Sequence, residues 1–154
     1  MIQKFGKSDL ERYSRQIILK DVSFEGQRNI YNSKVLIVGM GGLGCPVADS
    51  LSRCGVGTLG IVDHDKINLS NLHRQTLYDY SDVGKFKVDV ASKKIFKINK
   101  KIKILKFKKK INKRNKSKII KKFDIIIDGS DNFSTKFLLN KYSIKFKKIL
   151  IVGA

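Results

Sequence analysis

Between Gly39 and Gln75 the chain gathers residue types suited to holding a sugar and a chain of phosphates. Gly39-Met40-Gly41-Gly42-Leu43-Gly44 has the G-x-G-x-x-G spacing. Glycines at that spacing permit a tight turn and let backbone amides approach an anion at a helix N-terminus. Asp63 closes the next apolar run, Leu59-Gly60-Ile61-Val62. An acid there suits free ribose hydroxyls and repels a 2′-phosphate. Asp65 has two readings, a ligand contact or a cap of the following turn. Then comes a polar string, Asn68-Leu69-Ser70-Asn71-Leu72-His73-Arg74-Gln75, for which an ordinary dinucleotide fold has no need. Arg74 and Lys87 are cations for phosphate oxygens, one a planar fork and the other a point charge. Lys87 falls in the first turn of an expected helix, where a cation meets the unfavourable end of the dipole. That misfit hints at function rather than structure.

A second polar cluster, Asp128-Gly129-Ser130-Asp131-Asn132, follows a buried apolar run. One carboxylate there can hold Mg²⁺ while water and phosphate complete the coordination. Asp131 can equally cap the next helix. Gly44 is followed by Cys45-Pro46, so this is no Walker loop. His64 and His73 make no ligand pair. Cys45 and Cys54 are the two cysteines and form no C-x-x-C zinc pair. A helix N-terminus can lower a thiol pKa, but the favoured reading of Cys45 is a small core residue.

The elements that must position these residues alternate. Strands are expected at Lys34 to Val38, Thr58 to Val62, Ile102 to Phe107, Phe123 to Asp128 and Lys148 to Val152. Helices are expected at Asp9 to Gln16, Phe24 to Tyr31, Leu43 to Arg53, Lys85 to Ile98, Lys113 to Lys122 and Asn132 to Phe146, the last capped by Ser130 or Asp131. Val88, Ala91, Ile95 and Ile98 share one helix face. Alternation of this kind predicts a Rossmann-like α/β fold, with a mostly parallel sheet, helices on both faces and right-handed crossovers. Residues 1–32 form a helical arm of a single nucleotide-binding domain spanning 1–154. Because the chain ends at Gly153-Ala154, just after a strand, the expectation is an incomplete unit.

The 154 residues, 42% hydrophobic, suffice for one folded core. No apolar run is long enough to cross a bilayer, and Met1 to Phe5 lacks the apolar core of a secretory signal. A cytoplasmic or organelle-interior protein is expected. The net charge is +20, and Lys100 to Lys122 holds 13 Lys or Arg and no acid. Without a nucleic-acid motif beside it, that run reads as solvated surface rather than a nucleic-acid site.

In order along the chain, Arg12-Tyr13-Ser14-Arg15-Gln16-Ile17-Ile18-Leu19, Gly39 to Gly44, Ser70 to Gln75 and Asp128 to Asn132 together resemble the ubiquitin-activating-enzyme superfamily. The branch is the ThiF/MoeB/HesA family of molybdopterin and thiamine sulfur-carrier adenylyltransferases. The resemblance implies an adenylyltransferase that uses ATP and Mg²⁺ to activate the C-terminal Gly-Gly carboxylate of a small ubiquitin-like sulfur-carrier protein. It implies nucleotide contacts from Gly39, Gly41, Gly42, Gly44 and Asp65, with Asp63 holding the ribose. Asn71, Arg74 and Lys87 would meet the phosphates, with Gln75 and Asn132 nearby. Asp131 would bind Mg²⁺, and Arg15 would reach the ATP of the other subunit of a homodimer. In relatives, two zinc-binding C-x-x-C pairs follow; none is in this sequence. Three other classes stay open: a non-catalytic ATP-binding remnant or partner-dependent subunit, an NAD-dependent oxidoreductase, and a nucleic-acid binder.

Overall fold

A computed structural model describes residues 5–153. Met1 to Lys4 of the expected arm, and Ala154, lie outside the described residues. In chain order the helices are α1 (Lys7–Ile17), α2 (Ser23–Asn32), α3 (Gly44–Cys54), α4 (Lys87–Ile98), α5 (Lys116–Ile120) and α6 (Phe133–Lys145). The strands are β1 (Lys34–Val38), β2 (Thr58–Asp63), β3 (Lys103–Lys108), β4 (Ile125–Asp128) and β5 (Ile149–Val152). All pair in parallel, in the order β3-β2-β1-β4-β5. The expected α/β fold is what the chain adopts. The order reverses at β1, so the crevice beyond the carboxyl ends of β1 and β4 is the switch point where such sheets bind ligands.

Alternation along β1 divides its side chains between two cores. Val35 and Ile37 join Leu59 and Ile61 against Cys45, Ala48, Val88, Ala91 and Ile95 of α3 and α4. Leu36 and Val38 join Ile126 against Ile119, Ile120 and Leu139 of α5 and α6. A strand buried on both faces must be apolar throughout, as Val35 to Val38 is. The expected inward face of α4 is buried at Val88, Ala91 and Ile95, with Ile98 half-buried.

The arm docks at the far end of α3. Tyr13 is buried, its ring against Gly55, which takes a φ of 90°. Asn99 Nδ2 donates to Tyr13 Oη at 2.9 Å. Gln27, fully buried, donates to the Cys54 carbonyl at 2.9 Å and accepts from Gln16 at 2.8 Å.

Several boundaries differ from expectation. The basic helix is five residues rather than ten, because Asn112 and Asn115 fold the preceding segment into a turn: Asn112 Oδ1 accepts from Arg114 N, and Asn115 Oδ1 from Asn112 N, both at 2.9 Å. Side-chain oxygens that satisfy loop amides compete with helix in this way. β4 starts at Ile125, two residues later than expected, and α4 starts at Lys87. Two short 3₁₀ turns, Leu69–Asn71 and Tyr80–Asp82, interrupt the polar string and its sequel.

Candidate nucleotide-binding cleft

The glycine loop is shaped by two close approaches. Gly39 has φ 92°, and a Cβ there would lie 2.8 Å from the Gly129 carbonyl oxygen. At Gly44 a Cβ would collide with the Gly39 carbonyl oxygen. Neither position admits a side chain without moving the loop. The loop backbone is gripped on both sides of Met40. Its amide donates to Asp63 Oδ2 at 2.7 Å, and its carbonyl accepts from Tyr78 Oη at 3.0 Å. Burial pushes the Tyr78 phenol up, so it remains a donor.

Asp63 is therefore not a solvated strand-end acid. It is buried, and its other oxygen accepts from Asp65 N at 2.8 Å. Asp65 does not cap the following turn; Asn68 does, accepting from Ser70 N at 3.1 Å. Asp65 instead pairs with Lys87 Nζ at 3.3 Å, and Asp63 lies 4.0 Å from the same ammonium. Lys87 begins α4 and is only 6% exposed. The two carboxylates offset the helix dipole that opposes it. Asp63, His64 and Asp65 bring potential ligand atoms within 4.8 Å of one another, but the Lys87 ammonium and two backbone amides already occupy the two carboxylates.

Around this centre lies a cleft of about 780 Å³. Gly39, Gly41, Gly42, Asp63 and Asp65 line one wall, with Asn71, Arg74, Gln75 and Lys87 beside them. The Arg74 stem packs over Gly42, where an added Cβ would sit 3.3 Å from its Cδ. Gln75 is 2% exposed, and its Oε1 has no hydrogen-bond partner. Ser130, Asp131 and Asn132, from the loop after β4, also line the cleft. Asp131 is exposed and, among the described residues, lies in no ion pair. A single free carboxylate beside space for phosphate fits Mg²⁺. Asn132, rather than Ser130 or Asp131, caps α6, its Oδ1 accepting from Thr135 N at 3.2 Å.

The structure gathers every expected cleft residue except Gly44, buried just behind the loop, and Arg15. Arg15 lies on α1, whose Gln16 donates to the Cys54 carbonyl at the C-terminal end of α3. The glycine loop is at the other end of that 11-residue helix, about 16 Å away at the rise of an α-helix. Burial pushes the Cys45 thiol up, which outweighs any effect of the helix end.

A profile of the ThiF family matches residues 13–154. The chain belongs to the ThiF family. It is 43% identical over 146 residues to an "Adenylyltransferase and sulfurtransferase MOCS3" of Drosophila willistoni, a match covering 95% of this chain and 32% of that one. It is 39% identical over 151 residues to a "Sulfur carrier protein adenylyltransferase" of Thermus thermophilus, covering 98% of this chain and 56% of that one. The chain thus spans about a third to just over half of the length of these curated relatives. Among solved structures, E. coli tRNA N6-threonylcarbamoyladenosine dehydratase in complex with ATP superposes with a TM-score of 0.91 at 22% identity, covering 97% of this chain and 61% of that one. That likeness establishes the fold.

In and just behind this ThiF-family cleft, some positions fall outside the motifs, and one motif residue, Asp128, lies behind the wall rather than in it. Tyr78 reaches the loop from 38 residues away. Asp128 is fully buried; its Oδ1 accepts from Ser130 N and Oγ at 2.9 and 2.6 Å, while Oδ2 has no hydrogen-bond partner and lies 3.7 Å from Lys136 Nζ. Lys109, Lys110 and Ile111 enter from the loop after β3. Only the parallel register, which sets Val38 level with both Val62 and Asp128, brings these segments together.

Proposed function

We propose that this chain is the nucleotide-handling part of an enzyme that adenylates the C-terminal Gly-Gly carboxylate of a small ubiquitin-like sulfur-carrier protein. The observation that carries the reading is the convergence of Arg74, Lys87 and Asp131 on the glycine loop at the switch point of the sheet. The names of the Drosophila and Thermus relatives support it.

The chemistry asks little of a general base. A C-terminal carboxyl group, with a pKa of about 3.5, is ionised at neutral pH. One carboxylate oxygen attacks the α-phosphorus of ATP; the bond from that phosphorus to the bridging oxygen breaks, and pyrophosphate departs with the electron pair. In a later step a sulfide-level sulfur nucleophile from a separate donor attacks the acyl carbon, the bond from that carbon to the phosphate oxygen breaks, and AMP leaves, giving the thiocarboxylate. The difficulty is to bring two anions together and to neutralise the charge that grows on the leaving group. Asp63, with Asp65 beside it, faces the ribose. Amides of Gly41, Gly42 and the α3 N-terminus face the phosphates. Asn71 and Gln75 orient phosphate oxygens, with Asn132 nearby. Arg74 and Lys87 neutralise the pyrophosphate, and the Asp65 contact keeps Lys87 in place before ATP arrives. Mg²⁺ held by Asp131 would supply further charge neutralisation.

Arg15 completes the set from a second copy in a homodimer. Its position at the far end of α3 supports use in trans, and equally supports the second reading, a subunit that acts only beside a partner chain. The test is carrier-dependent ATP–pyrophosphate exchange with Mg²⁺, run with a molybdopterin-pathway and a thiamine-pathway carrier. Exchange with one carrier, abolished by Asp131→Asn, supports adenylation and identifies the pathway. Absence of exchange with both, from folded protein that binds ATP, favours the partner-dependent subunit.

A further inference from the structure

A second concavity, of about 490 Å³, lies between the 109–115 loop and the outer face of α6. Its floor is apolar, built by Leu138 and Tyr142, and Phe137 stands 72% exposed beside it. Its rim is cationic: Lys110, Lys113 and Lys141. Among the described residues none of these three lies within 4.0 Å of a carboxylate. The nearby sequence offers little to neutralise them. From Lys100 onward the chain has 18 Lys or Arg and three acids, Asp124, Asp128 and Asp131. Asp128 is fully buried and Asp131 lines the nucleotide cleft. Asp124 sits at the opposite, amino-terminal end of β4, beside Lys34.

The groove is continuous with that cleft, because Lys110, Ile111 and Thr135 line both. An apolar floor between unpaired lysines is complementary to a surface with one or two large apolar side chains flanked by carboxylates. A nucleic-acid strand also satisfies the lysines, but single-strand binders stack successive bases on several aromatic rings, and among the residues lining this groove Phe137 alone presents an open one. The Tyr142 ring is covered by the Lys116 ammonium at 4.4 Å.

We propose that this groove docks an acidic, apolar-anchored patch of the protein whose C-terminal carboxylate is activated, so that its tail enters the adjoining cleft. The inference rests on the adenylation reading and adds where, and by what chemistry, the protein substrate is held.

Phe137→Ala and the double change Lys113→Glu/Lys141→Glu alter exposed residues that line the groove and not the nucleotide cleft. A labelled Gly-Gly-tailed carrier of net negative charge is titrated against the unchanged protein and both variants, with a fluorescent ATP analogue titrated in parallel. The expected result is a carrier Kd raised about tenfold or more in each variant. The charge-reversal effect should shrink in about 0.5 M salt, and ATP-analogue affinity should stay within about twofold. Carrier affinity that both variants leave unchanged, or a carrier that does not bind the unchanged protein, overturns the proposal while normal ATP binding leaves the adenylation reading standing. Failure to bind the ATP analogue sinks that reading instead. Two further results also overturn the proposal: an RNA oligonucleotide whose binding alone is lost on charge reversal, or variants that differ from the unchanged protein only in oligomeric state.

Discussion

Tyr78 holds the glycine loop through Met40, its hydroxyl donating to the Met40 carbonyl at 3.0 Å while the Met40 amide donates to Asp63 at 2.7 Å. The two peptide groups that flank the Met40 Cα are thus clamped between the end of β2 and the segment that leads into α4. Tyr78→Phe removes one half of the clamp and leaves the buried carbonyl with only the weaker Cys45 thiol donor, at 3.5 Å. A stability loss of about 1 kcal/mol follows from losing the phenol's bond, with a rise of several-fold in the KM for ATP and little change in kcat. Thermal melting and exchange kinetics check both. An unchanged KM would mean that Asp63 alone fixes the loop.

Lys87 is assigned to the phosphates although it is nearly buried and already paired with Asp65. Lys87→Met keeps the length and removes the charge. Loss of a preorganised cation at developing charge typically costs about 10²–10³ in rate, and that is the expected fall in kcat for exchange. Asp65→Asn leaves the ammonium in place with a looser partner and should cost about tenfold or less. Equal losses in both variants would show that the pair acts only as a structural tie.

The turn at Tyr80–Asp82 is tied to α4 by Lys94, which lies 2.7 Å from Asp79 and 2.8 Å from Asp82. The hydrogen bond from Lys94 holds the Asp79 carboxyl down to about 2, against an ordinary 3.8. Asp82 is also lowered: its burial opposes ionisation, and the contacts with Lys94, Asp79 and Lys85 outweigh that. A carboxyl group depressed in the folded state contributes stability above its unfolded pKa and loses it as pH falls through the folded value. The unchanged protein should therefore melt above Lys94→Met at pH 6, with the difference narrowing between about pH 4 and pH 2. A constant difference down to pH 2 would remove the ion pairs as its cause.

Arg15 in trans makes a complementation prediction. Arg15→Ala and Lys87→Ala homodimers should each be inactive in exchange. After unfolding and refolding as an equal mixture, half the dimers are mixed and each contains one site with both residues intact. Activity should return to about a quarter of the unchanged protein. No recovery would place Arg15 outside the site.

Much of the site could be read from the chain because its parts are local. Gly39 to Gly44 and Asp63 belong to one strand–loop–helix–strand unit, and backbone sterics and sheet pairing dictate their placement within it. The α/β alternation is likewise a short-range pattern, and two-sided burial of parallel strands requires the apolar runs seen in β1, β2 and β4. Cap identities were less legible. Asn132 rather than Asp131 caps α6, and Asn68 rather than Asp65 caps its turn, because the choice depends on which residue takes the extended backbone just before the first helical one.

Tertiary structure alone decided the remaining relationships. Ser130 and Asp131 line the cleft only because β4 pairs on the other side of β1, Lys110 enters from the loop after β3, and Tyr78 reaches the Met40 carbonyl from the segment before α4; no local spacing encodes these approaches. Lys87 looked misplaced at a helix N-terminus until the fold set Asp63 and Asp65 against it. Cys45 sits where a helix could acidify a thiol, yet packing around it raises the pKa, because desolvation depends on neighbours distant in the chain. The loop, the strands and the kinds of charge available follow from local patterns along the chain. Which charges meet, and which stay unpaired, was settled by long-range packing, since an ion pair or a buried carboxylate is a property of two or more segments and not of either one.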